Sequence, residues 1–316
     1  MAFHANKIVL FALILLSLLV SVFQTGLNPY YFQVIMYIGI NIILSSSLNL
    51  INGFAGQFSL GHAGFMALGG YATAVVTRSF GVVSGSAESF FLFPIALITG
   101  GAVAAFAGLL VGIPTLRLRG DYLAITTLGF GEIIRVIIQN LEFLGGARGF
   151  TGIPKLTNFF WVFSVVSIVV FMIANLVHSS YGKGFLALRD DEIAAQAMGI
   201  NTTKYKVIAF VTGAFFAGIA GGLYAHFVTY INPAQFSFIK SIEIVVIVII
   251  GGMGSIAGVI IAAVLLTILP EVLRGIAEYR MVIYSLLLIF IMIARPDGLF
   301  GSGFTFRNFR NKTVLS

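Results

Sequence analysis

The chain has no cysteine, one tryptophan and seven prolines, and only 9% of its 316 residues are charged. Without cysteine there is neither a disulfide framework nor thiolate chemistry, and the redox compartment cannot be read. So few charges are too few to solvate the surface of a soluble domain of this length. The four histidines, His4, His62, His178 and His226, are too scattered to suggest a metal motif. The net charge of +7 is not gathered into a basic run, so a nucleic-acid reading has nothing to stand on. A phosphate-cradling GxxxxGK[ST] motif is missing as well.

What the sequence has is apolar length. Hydrophobic residues make up 59% of it and the mean hydropathy is +1.05. The expectation is an all-α polytopic membrane protein, a single transmembrane domain over residues 1–316 with about ten transmembrane or re-entrant helices. The first apolar segment, 8–23, competes with a signal-peptide reading, but no small-x-small cleavage site follows it and a retained span is expected. Further segments follow at 30–51, 62–76, 91–111, 122–141, 159–178 and 207–228. Segment 242–250 is too short to cross, and it runs through the glycines of 251–258 into a segment ending near Leu269. A short apolar piece broken by glycines points to discontinuous helices around a site. The last segment is 281–294, and residues 295–316 form a basic, polar tail.

Polar residues inside these segments are spaced, not scattered. Asn41, Ser45, Asn49 and Asn52 fall on one helical face of the second segment, followed by Gln57, Ser59 and His62 among repeated glycines. Such a face avoids lipid and looks into a bundle, as hydrogen-bonding glue between helices or as the lining of a translocation path. In the fifth segment Glu132 and Arg135 stand three residues apart and can pair, as a structural tie or as a proton or substrate site. Small residues at Gly101, Ala105, Gly108 and Gly112, and at Gly213, Ala217 and Gly221, predict close helix packing.

The long polar interruption is 182–206. Asp190 or Asp191 is placed to cap a helix, Glu192 suits its positive end and Gly199 supplies the stop. About two turns are expected, displaying Ala194, Ala195 and Ala197. With a cytoplasmic N-terminus and ten alternating segments, eleven Lys and Arg fall on the cytoplasmic side and six, Lys240 among them, on the other, with Arg135 inside the membrane. That assignment puts the 182–206 loop, and both termini, in the cytoplasm.

This loop resembles the coupling loop of ABC importer permeases, whose signature is Glu-Ala-Ala, three residues, then Gly. Ala194, Ala195 and Gly199 keep the spacing, whereas Ile193 stands at the acidic position and Glu192 falls one residue early. The set GFAGQFSLGHAGF from Gly53, RLRGDYLAITTLGFGEIIR from Arg117, the loop itself, IGGMGSIAG from Ile250 and RPDGLFG from Arg295 resembles branched-chain amino acid ABC importer permeases of the LivM type. The resemblance implies a transport subunit that is not an enzyme, in a bacterial or archaeal cytoplasmic membrane. Its implied partners are a second homologous permease, two cytoplasmic ABC ATPases that hold the ATP and magnesium, an extracytoplasmic substrate-binding protein and membrane lipid, with no cofactor in this chain and no nucleic acid.

On that reading Asp191, Glu192, Ala194, Ala195 and Gly199 couple to the ATPase, and Ala195→Asp uncouples hydrolysis from transport. Asn41, Ser45, Asn49, Gln57, Ser59 and His62 line the path. Permeases for urea or short-chain amides look similar in the same stretches. Two other classes remain: a secondary transporter driven by an ion gradient through Glu132, Arg135 and Glu243, and a membrane enzyme, for which no nucleophile or metal constellation is present.

Overall fold

The computed structural model describes residues 28–273 apart from 116, 117 and 119, with scattered positions between 10 and 21 and between 282 and 298. The predicted first and last segments and the basic tail lie largely outside the described residues. Within them the protein is helical and contains no strand, only one isolated β-bridge between Phe150 and Ile231.

Helix α1, Pro29–Asn49, starts where the Asn28 side chain accepts the Tyr30 amide at 3.0 Å, with proline at the first helical position. Its residues 39–49 are buried on every side, so it is the central post of the bundle. It widens into one π-turn, Leu50–Phe54, and then irregular backbone leads to α2, His62–Ser79. Helix α3 is Ala87–Thr115 and α4 is Asp121–Asn140. Helix α5, Phe159–His178, has the predicted bounds. Two short helices follow, α6, Ser180–Asp190, and α7, Glu192–Ala197, and then the long α8, Thr202–Val228. Helices α9, Phe238–Gly251, and α10, Ile256–Val272, complete the described bundle.

By length and composition five of these are able to cross a bilayer: α1 with its π-turn, α3, α5, α8, and α9 together with the 3-10 turn before it. Large apolar side chains such as Phe91, Phe106, Ile125 and Met172 face outward, as lipid-facing surfaces require.

Helices α2, α3 and α8 pack backbone to backbone through the small residues read from the sequence. A Cβ added to Gly69 would lie 2.1 Å from Gly218 Cα, and one added to Gly221 would lie 1.9 Å from the Met66 carbonyl oxygen. Glycine is therefore required at both crossings.

The α8–α9 connection turns back into the bundle. Ile231 exchanges backbone hydrogen bonds with Phe150 at 2.8 and 3.2 Å and accepts the Tyr71 hydroxyl from within α2 at 3.3 Å. Helix α9 begins beside α4 and α2, where Glu132 accepts the Phe238 amide and Ser241 accepts the Ala63 amide. Its 14 residues span about 21 Å, longer than the 242–250 piece read from the sequence, and it reaches crossing length only together with the 3-10 turn before it. Lys240, counted as a loop cation from sequence, lies in its first turn.

Candidate functional site

The 182–206 segment is more structured than its composition suggests. Helix α6 was not expected, because Gly182 and Gly184 mimic a loop. Both glycines serve close packing: a Cβ on Gly182 would meet the Val177 carbonyl oxygen at 1.7 Å, and one on Gly184 the Tyr205 ring at 2.3 Å. Phe185 and Leu188, three residues apart, supply the buried face and were the available signal.

Asp191 is the cap of α7, its Oδ1 accepting the amides of Ile193 at 2.8 Å and Ala194 at 3.1 Å. Gly199 at φ +82° ends the turn, with the Ile200 amide donating back to the Ala195 carbonyl. Glu192 pairs with Lys206 of α8 at 2.7 Å, and Gln196 donates to Thr202 at 2.9 Å. These bonds fix α7 to the base of α8.

The displayed face differs from the expected one. Ala195 is 5% exposed and turned inward, whereas Ala194 and Ala197 face out beside Ile193 at 66% and Met198 at 82% exposure. Ala195→Asp would therefore disturb the chain's own packing before it touched a partner. The outward patch is small and apolar, and among the described residues no other element covers it.

At the end of α6, Arg189 Nη1 donates to the Gly53 carbonyl at 3.3 Å and stands 3.0 Å from where a Cβ on Gly254 would be. Gly254 belongs to the turn between α9 and α10. Asn49 of α1 holds the same turn, its Oδ1 accepting the Gly254 amide at 2.9 Å and its Nδ2 donating to the Ser255 carbonyl at 3.4 Å. Gly252 and Gly254 both have positive φ, which permits so sharp a reversal. The 182–206 segment, the π-turn after α1 and the α9–α10 turn thus meet around one guanidinium.

The predicted path residues divide. Ser45 Oγ donates to the Asn41 carbonyl of its own helix at 2.6 Å, and Asn52 grips the Ser59 backbone through its Oδ1 and Nδ2. Ser47 Oγ and His62 Nε2 lie 2.8 Å apart, tying α1 to α2. Gln57 and Ser59 are buried, yet both amide atoms of Gln57 and the Ser59 hydroxyl lack a partner among the described residues. Leaving such groups unpaired costs about 1–3 kcal/mol each. Asn41 Nδ2 donates to Thr267 Oγ1 of α10 at 2.9 Å, and both residues line a cavity.

That cavity, about 310 Å³, lies between α1, α8, α9 and α10. Lys240 and Glu243 of α9 stand on its wall, paired at 3.1 Å. Glu271 of α10 also lines it and accepts the Tyr30 hydroxyl. The opposite wall is apolar, with Ile40, Met66, Leu266 and Phe236. Sequence reading named Asn41 as a path residue and Glu243 only under the ion-coupled alternative, and it did not bring the set together, because its members come from segments more than 200 positions apart.

Glu132 and Arg135 pair at 2.7 Å, partly exposed. Glu132 Oε1 also accepts the Phe238 amide at 3.0 Å, so the carboxylate closes the positive end of α9. The Glu132–Arg135 pair lies within α4, and the bond from Phe238 to Glu132 ties α4 to α9.

Residues 30–293 match a family model described as the branched-chain amino acid transport system permease component. The chain is 38% identical over 295 residues to the high-affinity branched-chain amino acid transport system permease protein LivM of Salmonella typhimurium, covering 82% of this chain and 67% of that one. LivM of Escherichia coli K12 gives the same identity and coverage. The LivH permease protein of the same E. coli system is 29% identical over 187 residues, 52% of this chain and 60% of its own. No solved structure matches the chain.

Proposed function

The chain belongs to the family of branched-chain amino acid transport system permease components, and from that premise we propose that it forms one half of the passage through an importer, with α7 as the surface on which an ATPase acts. It is a multi-pass membrane permease subunit of an ABC import system. The cargo is a branched-chain amino acid, the cargo that the names of the LivM and LivH relatives state. The other half is a homologous permease of the LivH kind. Two cytoplasmic ATPases hold the ATP and magnesium, and an extracytoplasmic binding protein delivers the cargo. Both termini lie in the cytoplasm, and this chain carries out no chemistry of its own.

The observation that carries the reading is the α6–α7 bracket. Asp191 and Gly199 define its ends, Glu192 fixes it to α8, and Ala194 stands outward between Ile193 and Met198. A small apolar knob on a rigid base suits a groove in another protein. Motion of that knob reaches the bundle through Arg189, which touches Gly53 and the Gly254 turn. Helix α9 then moves relative to α1, with the unpaired Gln57 and Ser59 available to bond a polar cargo as it passes Asn49, Ser45 and Asn41. For the ion-coupled reading, Glu132 is engaged by Arg135 and by the Phe238 amide, which leaves Glu243 of its three residues.

The test is Ile193→Asp in the assembled transporter. The expected result is a normal amount of permease in the membrane, loss of the co-purifying ATPases and a fall in ATP-driven leucine uptake of about tenfold, within the usual range of coupling terms. Unchanged uptake with the ATPases still bound would overturn α7 as their contact.

A further inference from the structure

We propose that the cavity between α1, α9 and α10 binds a free, zwitterionic α-amino acid, and that the Lys240–Glu243 pair opens to exchange partners with the ligand's two charges. This deepens the import reading and rests on it. The Lys240 ammonium takes the carboxylate, and Glu243, with Glu271 beside it, takes the ammonium.

The charge arithmetic favours this exchange. A lone charge inside a membrane bundle is costly, and so is a lone charged ligand. Here one ammonium–carboxylate pair becomes two pairs, and no net charge enters with the cargo. Glu243 has 43% of its side chain exposed and Lys240 23%, so neither is locked by packing and both have room to turn toward a ligand. Their position in the first two turns of α9 places the exchange on a helix that is held at each end by side chains of other helices, Glu132 at Phe238 and Asn49 at Gly254.

The rest of the wall sets the side-chain preference. Ile40, Met66, Leu266 and Phe236 form an apolar surface opposite the charges, and the Tyr37 and Tyr224 rings, 6.2 Å apart, bound it. An aliphatic chain buries there without stranding a polar group. A sugar or urea brings no charges to replace the ion pair, so the pair would stay closed against it. This separates the proposed ligand from uncharged cargo by chemistry internal to the permease.

The absence of cysteine makes the site directly testable. Gln235→Cys and Thr267→Cys, on the cavity wall but outside the charge pair, each become the sole thiol of this subunit. In the assembled transporter, labelling of this subunit by a methanethiosulfonate reagent is followed with and without leucine. Saturating leucine should slow labelling at both positions by about tenfold, the mass-action effect of occupancy. Neither 3-methylbutylamine, which lacks the carboxylate, nor 4-methylpentanoate, which lacks the ammonium, should protect. Ile239→Cys, next to Lys240 but 75% exposed and off the cavity wall, is the position that leucine leaves unchanged.

If one cysteine variant fails to assemble, the other gives the same readout. Equal protection by leucine and both analogues overturns the charge exchange. Labelling indifferent to leucine at both positions, while the wild-type assembly imports leucine with ATP, overturns the site alone. No ATP-driven leucine import by the wild-type assembly overturns the transport reading beneath it.

Discussion

Two halves of the bundle solve the membrane problem in opposite ways. Helices α2, α3 and α8 pack chiefly through glycine crossings, where Gly69 meets Gly218 and Gly221 meets Met66 backbone to backbone, with a bond between Thr77 Oγ1 and His226 Nε2 at 2.8 Å tying α2 to α8 toward their ends. Helices α1, α9 and α10 keep polar side chains in their crossings, where Asn41 bonds Thr267 and Asn49 bonds the Gly254 turn. The first arrangement is dispersion packing, which admits one geometry and resists motion. The second consists of directional bonds that are made or broken one at a time, and the cavity, the charged residues and the α9–α10 turn all lie on that side. The difference marks a static half and a working half within one subunit.

The most severe way to break the comparison is to thicken the static half. Gly221→Val should cost about 3 kcal/mol or more, because the Met66 backbone cannot yield to a new Cβ. The check is the thermal midpoint and yield of the detergent-purified subunit, and a stable, normally expressed variant would remove the distinction. On the working side, Asn49→Leu should cost about 2 kcal/mol by stranding the Gly254 amide. Its uptake loss should exceed what that destabilisation explains; normal transport by an intact assembly would reduce the α1 polar face to packing.

Glu132 sharpens the contrast between holding and working. Glu132→Leu should cost about 1.5 kcal/mol by removing a charged acceptor from the start of α9. Glu132→Gln keeps an acceptor oxygen and should transport at close to the wild-type rate. Loss of uptake in the glutamine variant, measured against ion gradients, would restore the ion-coupled class. The smallest effect belongs to Gly199→Ala, about 1 kcal/mol from a side chain at φ +82°, seen as weaker ATPase association with little change in membrane insertion.

The sequence made the spans legible where hydropathy alone decides. Phe159–His178 was bounded to the residue, since a polar cap, Asn158, precedes it and Ser179 follows. Helix α8 begins at Thr202, five positions before its apolar run, because Asn201 caps it and Lys206 is paired with Glu192; neither fact shows in a hydropathy profile. Helix α6 was hidden by glycines chosen for tight packing. Of the candidate site, spacing located the polar face of α1, the Asp191 cap and the Gly199 stop. It could not show that Ala195 turns inward or that Lys240 belongs to a cavity, because both depend on which distant segments pack alongside.

The attachments of α9 have a mechanical consequence. Its first turn is held at Phe238 by Glu132, and the turn after its last residue is held at Gly254 by Asn49. Between these two, the buried Ser241 Oγ accepts the Ala63 amide of α2 at 3.1 Å. A rod pinned near both ends and again in between can neither slide nor spin without breaking one of these bonds.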